Sequence, residues 1–131
     1  MNGIRLVAAT LAVSMLTACA PSVDTVRLSP VRYPPRPQDF RIRMYSTERP
    51  RCAFEEVGTV RSRKPGFWVS MEDVAESVRD VARELGGDAV IALTNVSQIN
   101  GGTVIGSTVS VDTDPVLSGT VVRFTEDDCR E

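Results

Sequence analysis

The sequence predicts an α+β domain, a single helix packed on a mixed sheet of about four to five strands, set behind a leader and an extended proline- and arginine-rich segment. Three observations carry this reading: one helical repeat between residues 70 and 87, short apolar and alternating runs on both sides of it, and a clustering of prolines before residue 40. The expected order is β-β-α-β-β-β, with boundaries at 1–18 for the leader, 19–39 for the tether and 40–131 for the compact domain.

The first segment has one positive charge at Arg5, followed by an apolar run from Leu6 to Leu16. That is the layout of a secretory signal. The run falls short of the roughly 20 apolar residues needed to cross a bilayer core, so no transmembrane helix is expected. It ends in Leu16-Thr17-Ala18-Cys19, which resembles the lipobox of bacterial lipoproteins. The resemblance implies cleavage before Cys19 and acylation of its thiol with palmitate-type chains. Ala20 stands where many such proteins carry the aspartate of inner-membrane retention, which implies an outer-membrane lipoprotein whose domain faces the periplasm.

Acyl chains contribute about 0.8 kcal/mol per buried methylene, so the expected partner of this segment is the membrane itself, without further motif. Export also sets the redox environment, because disulfides persist in the periplasm. With Cys19 assigned to lipid, Cys52 and Cys129 remain. One structural bridge is the simplest outcome, and a redox-active pair is the alternative. A metal site is not expected, since the chain has no histidine and two thiols fall short of the ligand set zinc prefers.

From Ala20 to Asp39 the chain carries Pro21, Pro30, Pro34, Pro35 and Pro37. Proline fixes φ and removes a donor, which predicts an extended, semi-rigid tether. Charge is uneven along the chain: residues 19–64 contain ten basic and five acidic side chains, and residues 65–131 contain four basic and twelve acidic. Arg27, Arg32, Arg36, Arg41, Arg43, Arg49 and Arg51 are suited to lipid phosphates, anionic wall polymer or the acidic lumen of a partner; a merely solvated linker is the other reading. Arg32 and Arg36 are singled out as interface candidates. Nucleic acid is not an expected partner, because the compartment excludes it.

Within the domain, residues 41–45 and 54–60 read as strands. Ser70 with Asp73 forms a capping box, and Val69 with Val74 a hydrophobic staple. Val74, Val78, Val81, Ala82 and Leu85 follow at helical spacing, with Glu76, Arg79, Asp80 and Arg83 expected toward water. Gly86-Gly87 supplies the helix stop. Residues 89–93 suit a central strand. Asn100-Gly101-Gly102 predicts a hairpin turn, residues 103–111 a strand, Thr113-Asp114-Pro115 another turn and residues 116–124 the last strand. A helix between the strands at 54 and 89 predicts a right-handed parallel crossover. The Cys52 and Cys129 pairing requires the start of the second strand to lie beside the end of the last.

Residues 42–45, Phe54-Glu55-Glu56-Val57-Gly58, Gly87-Asp88-Ala89-Val90-Ile91 and Ser118-Gly119-Thr120 occur in an order that resembles the RcsF-like and YbjQ-like small envelope domains. The resemblance spans residues 40–124. It implies a compact helix-on-sheet domain and, for the RcsF-like member, an outer-membrane lipoprotein that contacts barrel proteins and reports envelope stress. That member has two disulfides within its domain, whereas this chain has one candidate pair at other positions.

No catalytic residues are expected. Without histidine, serine-histidine and cysteine-histidine nucleophiles are ruled out. Lys64, the only lysine, lies in a basic loop where exposure keeps it protonated. Glu55 and Glu56 are adjacent on a strand, so they point to opposite faces. Phe67-Trp68 lies on the loop before the helix; it suits a protein interface or a fold-back over the core. The sequence thus predicts a non-enzymatic, cofactor-free protein acting by contact as a sensor or adaptor. A ligand- or metal-binding envelope module is the first alternative and a hydrolase the second.

Overall fold

The computed structural model describes residues 21–63 and 69–129, with the backbone alone described at 97–101, 103, 111–113 and 128. One α-helix packs on a five-stranded mixed sheet, as the sequence predicts. The strands are β1 (Ser22–Arg27), β2 (Arg43–Met44), β3 (Phe54–Arg63), β4 (Ala89–Ile105) and β5 (Thr108–Phe124), with α1 (Met71–Glu84) between β3 and β4. Their order across the sheet is β1-β3-β5-β4-β2. β5 pairs antiparallel with both β3 and β4, and β2 pairs parallel with β4. β3 and β4 therefore run parallel, but β5 lies between them.

The helix forms for local reasons. The Ser70 Oγ accepts from the Asp73 amide at 3.1 Å, and the Asp73 carboxylate accepts from the Ser70 amide at 2.9 Å, so two orphan donors are satisfied reciprocally. At the other end, Gly86 adopts φ +75°; its amide donates to the Arg83 carbonyl and that of Gly87 to the Ala82 carbonyl, both at 2.9 Å. This is a Schellman cap. Between the caps, Val74, Val78, Ala82 and Leu85 turn inward onto Val57, Val60, Val90, Leu117 and Val121 of the sheet, with Val69 and Ile42 completing the cluster. The opposite sheet face carries a smaller cluster, Ala89, Ile91, Val122 and Phe124, covered by Tyr45, Phe54 and the Cys52 and Cys129 side chains.

The structure corrects the expected turns. Strands β4 and β5 are one long hairpin, where two turns and three strands were expected. Asn100 is the extra residue of a register shift between Ile99 and Gly101, so the Asn-Gly pair produces a bulge and the strand continues. The chain reverses at Gly106-Ser107, with Gly106 at φ +63°. Pro115 pairs with Ser97 inside β5, one position beyond the Arg63 and Val116 pair that ends the β3 ladder. At that edge a residue without an N–H is tolerated.

Two further differences concern the basic residues and the tether. Arg83 does not face water. It is 7% exposed because its guanidinium reaches Glu76, Asp80 and the Phe40 carbonyl. The segment expected as an extended, semi-rigid tether is extended, and part of it pairs with the sheet. Ser22–Arg27 pairs along Gly58–Arg63 of β3, since an unpaired sheet edge readily accepts another strand, and residues 33–40 lie across the helix end.

Candidate interaction surface

The N-terminal segment binds the domain through specific polar contacts. The Tyr33 hydroxyl donates to Glu55, and the Arg123 guanidinium stacks on the Tyr33 ring at 4.6 Å while bonding the Gly86 carbonyl at 2.7 Å. The Glu55 carboxylate that accepts its proton holds the Tyr33 phenol above its ordinary range. The Arg36 amide donates to the Arg83 carbonyl at 2.8 Å, satisfying one of the helix's last carbonyls. The Arg36 side chain meets Asp88 at 2.5 Å and lies over the Phe40 ring at 4.9 Å. Arg36, singled out from the sequence as an interface candidate, is thus occupied inside the molecule. Arg32 is exposed.

The short strand β2 organises the surface at this end of the sheet. The Tyr45 amide donates to the Val90 carbonyl at 2.8 Å, and the Leu93 amide donates to the Tyr45 carbonyl at 3.0 Å. Pinned in this way, Arg43 and Tyr45 form a wall shared by two hollows. One, of about 490 Å³, is lined by residues 41–45 together with Glu76, Arg79 and Arg83. The other, of about 300 Å³, is lined by Arg43, Tyr45, Glu48, Arg49, Pro50, Arg51, Cys52 and Phe124.

Charge pairing differs between the two sides. Arg79 is held by Glu72 and Glu76, and Arg83 by Glu76 and Asp80, at 2.7 to 2.9 Å. Those guanidiniums keep the Glu76 carboxyl below its ordinary range. Arg41, Arg43, Arg49 and Arg51 have no ion pair among the described residues. Guanidiniums in this state present planar donor forks that match carboxylate and phosphate oxygens.

The floor of this end is the bridge between Cys52 and Cys129, formed across a separation of 77 residues with the Cα atoms 6.2 Å apart. The Thr125 amide bonds the Ala53 carbonyl at 3.1 Å beside it. The register that brings Phe54 opposite Phe124 explains why the two cysteines meet. No group of three or more metal-ligating residues occurs among the described residues. Cys19, the expected lipidation site, and Phe67 and Trp68, the expected interface aromatics, lie outside the described residues. The arginine cluster around Tyr45 is the site that sequence reading did not assemble, although each arginine belongs to the basic half that it identified.

No family model matches the chain, and no curated protein is significantly similar to it. Among solved structures, the crystal structure of the Francisella virulence factor FvfA in its orthorhombic form is similar, with a TM-score of 0.51 at 12% identity. The match covers 77% of this chain and 96% of that one. At that identity the likeness is one of fold.

Proposed function

We propose that the chain is an outer-membrane lipoprotein, anchored through Cys19, whose periplasmic domain acts by contact with an anionic partner in the envelope. The observation that carries this reading is the cluster of Arg41, Arg43, Arg49 and Arg51 around Tyr45, none of which has an ion pair among the described residues although Glu48 lines the same hollow. Its position supports the same reading. The N-terminal segment enters the sheet at Ser22, on the row of Arg63, Val116 and Val96, whereas β2 pairs with Ala89 and Val90. Six residues along β4 separate these rows, about 20 Å at strand rise. An anchor at the first row leaves the arginine end directed away from the lipid.

Contact of this type suits an adaptor or stress-reporting module, the role that the RcsF-like resemblance implies. Complementary charge then sets the partner's approach and register more than its final affinity. The acidic wall of a barrel protein is the partner this chemistry favours. The test is a photo-crosslinking amino acid at Tyr45 in living cells, combined with mass spectrometry of Cys19. Crosslinks to an envelope protein, lost when Arg43 and Arg49 are both replaced by glutamate, are expected. An unmodified thiol at Cys19, or a Tyr45 probe that captures nothing in the envelope, would overturn the reading.

A further inference from the structure

The β4–β5 hairpin continues past the row where the N-terminal segment enters the sheet. Beyond Ser22, Arg63, Val116 and Val96, β1 and β3 have ended, and among the described residues only 97–105 and 108–115 extend further. From Val96 to Ile105 this projection spans nine residues, about 30 Å at strand rise. Cys19 precedes Ser22 by three residues, about 10 Å of extended chain. The tip therefore reaches at least as far in this direction as the residue proposed to carry the lipid.

The tip also has the chemistry of a lipid-contacting element. Val104, Ile105 and Val109 are 69%, 75% and 65% exposed, and Val104 pairs with Val109 across the hairpin. No residue from Ala89 to Val111 is charged, in a chain that is 24% charged. Exposed apolar groups scattered singly are ordinary, but here three sit within six residues of one hairpin end, Val104 and Val109 on one face and Ile105 on the other. An isolated edge strand left in water usually carries charges that discourage pairing, and the end of this hairpin carries none.

We propose that the hairpin tip, through Val104, Ile105 and Val109, rests in the headgroup–acyl boundary of the same membrane that holds Cys19. The inference rests on the lipid anchor proposed above. It limits the depth as well as the site: a single hairpin has two unpaired backbone edges, which hydrocarbon does not tolerate. Insertion therefore stops in the boundary layer, about 5–10 Å deep, where water still reaches those edges. A two-point attachment, acyl chains and hairpin tip, fixes the orientation of the domain and holds the arginine end outward.

The test uses the full chain in vesicles of phosphatidylethanolamine and phosphatidylglycerol. Ser107→Cys, at the exposed turn, is labelled with an environment-sensitive fluorophore, and Thr47→Cys at the opposite end serves as control. A blue-shifted emission at position 107, quenched by a lipid-borne quencher, is expected, with neither effect at position 47. Val104→Asp, Ile105→Asp and Val109→Asp together should reduce the quenching at 107 to the control level while leaving thermal melting unchanged, since these side chains lie outside the core. Emission at 107 that stays at the control value overturns the inference. Mass spectrometry of Cys19 separates the two failures, because an acylated protein with a wet tip sinks the hairpin contact alone, whereas a free thiol removes the anchor too. A blue shift without lipid quenching, accompanied by crosslinked dimers through position 107, assigns the tip to a second copy and overturns the inference as well.

Discussion

Arg36 and Asp88 meet at 2.5 Å across the junction between the proline-rich segment and the sheet, and the Asp88 side chain is 1% exposed. The other carboxylate oxygen accepts from the Phe124 amide at 2.9 Å. One buried acid therefore ties together the N-terminal segment, the turn after the helix and the last strand. Removing Arg36 takes the guanidinium away from a buried carboxylate, and breaking a buried pair of this kind costs about 3 kcal/mol. Arg36→Ala is expected to lower unfolding free energy by about that amount, measured by chemical denaturation. Amide exchange in Ser22–Arg27 should speed up with it, because the residues that follow β1 lose their attachment. Unchanged exchange there would show that β1 is held by its pairing with β3 alone.

Gly86 joins the same segment to the helix by a different constraint. A Cβ at Gly86 would meet the Tyr33 Cβ at 2.6 Å and the Pro34 carbonyl at 2.7 Å, whereas at Gly106 nothing lies within 4 Å; both residues have positive φ. Gly106→Ala should therefore cost about 1 kcal/mol, from backbone conformation alone. Gly86→Ala should cost more, and should also move the Tyr33 ring off Arg123. The comparison of the two variants by thermal melting separates strain from displacement.

The helix was legible in the sequence because its determinants are local: the Ser70 and Asp73 box, the Val69 and Val74 staple and the Gly86 stop each act within a few residues. The hairpin was not. Asn100-Gly101 and Asp114-Pro115 are sound turn signals on their own, but the pairing of Ser97 with Pro115 and Ile99 with Thr113 overrides them; that register is a long-range property. β1 was hidden for the same reason, since Ser22–Arg27 is a strand through its pairing with β3. Cys52 and Cys129 could be paired by elimination. The commitment of Arg36 could not be read, because nothing near residue 36 announces a buried acid at residue 88.

The disulfide should contribute heavily to stability. Closing a loop of the separation observed, 77 residues, is worth about 4.5 kcal/mol in the chain-entropy model. Replacing both Cys52 and Cys129 by serine is expected to remove a large share of that and to expose Phe124 and Phe54, which the cysteine side chains help cover. The readout is the shift in denaturation midpoint between oxidised and reduced protein. A shift near zero would move the pair from a structural role to a redox-active one.

Acid should weaken the helix at its start. Hydrogen bonds from the Ser70 side chain and backbone hold the Asp73 carboxyl below its ordinary 3.8, and Arg79 and Arg83 hold Glu76 below 4.5. A folded-state value below the unfolded one contributes stability that is present above the unfolded value and lost as pH falls through the folded one. The loss therefore begins below about pH 4. Tyr33 acts in the opposite direction: its raised value favours the neutral phenol, so its contribution disappears only as pH rises above 10.0. Asp73→Asn should flatten the acid limb of a melting-versus-pH curve and leave the alkaline limb unchanged, and Tyr33→Phe should do the reverse.

Contact through the arginine end makes a prediction that separates function from folding. Arg41, Arg49 and Arg51 are exposed and Arg43 is half-buried, and none has an ion pair among the described residues. Surface substitutions of this kind usually shift stability by no more than about 0.5 kcal/mol. Replacing all four by glutamine should leave the melting temperature nearly unchanged and abolish recovery of the envelope partner. In the unmodified protein, the same recovery should fall as salt rises, because screening shortens the reach of exposed charges to about 8 Å at physiological ionic strength. A complex that survives both the substitutions and high salt would be held by apolar contact, and the anionic partner would have to be given up.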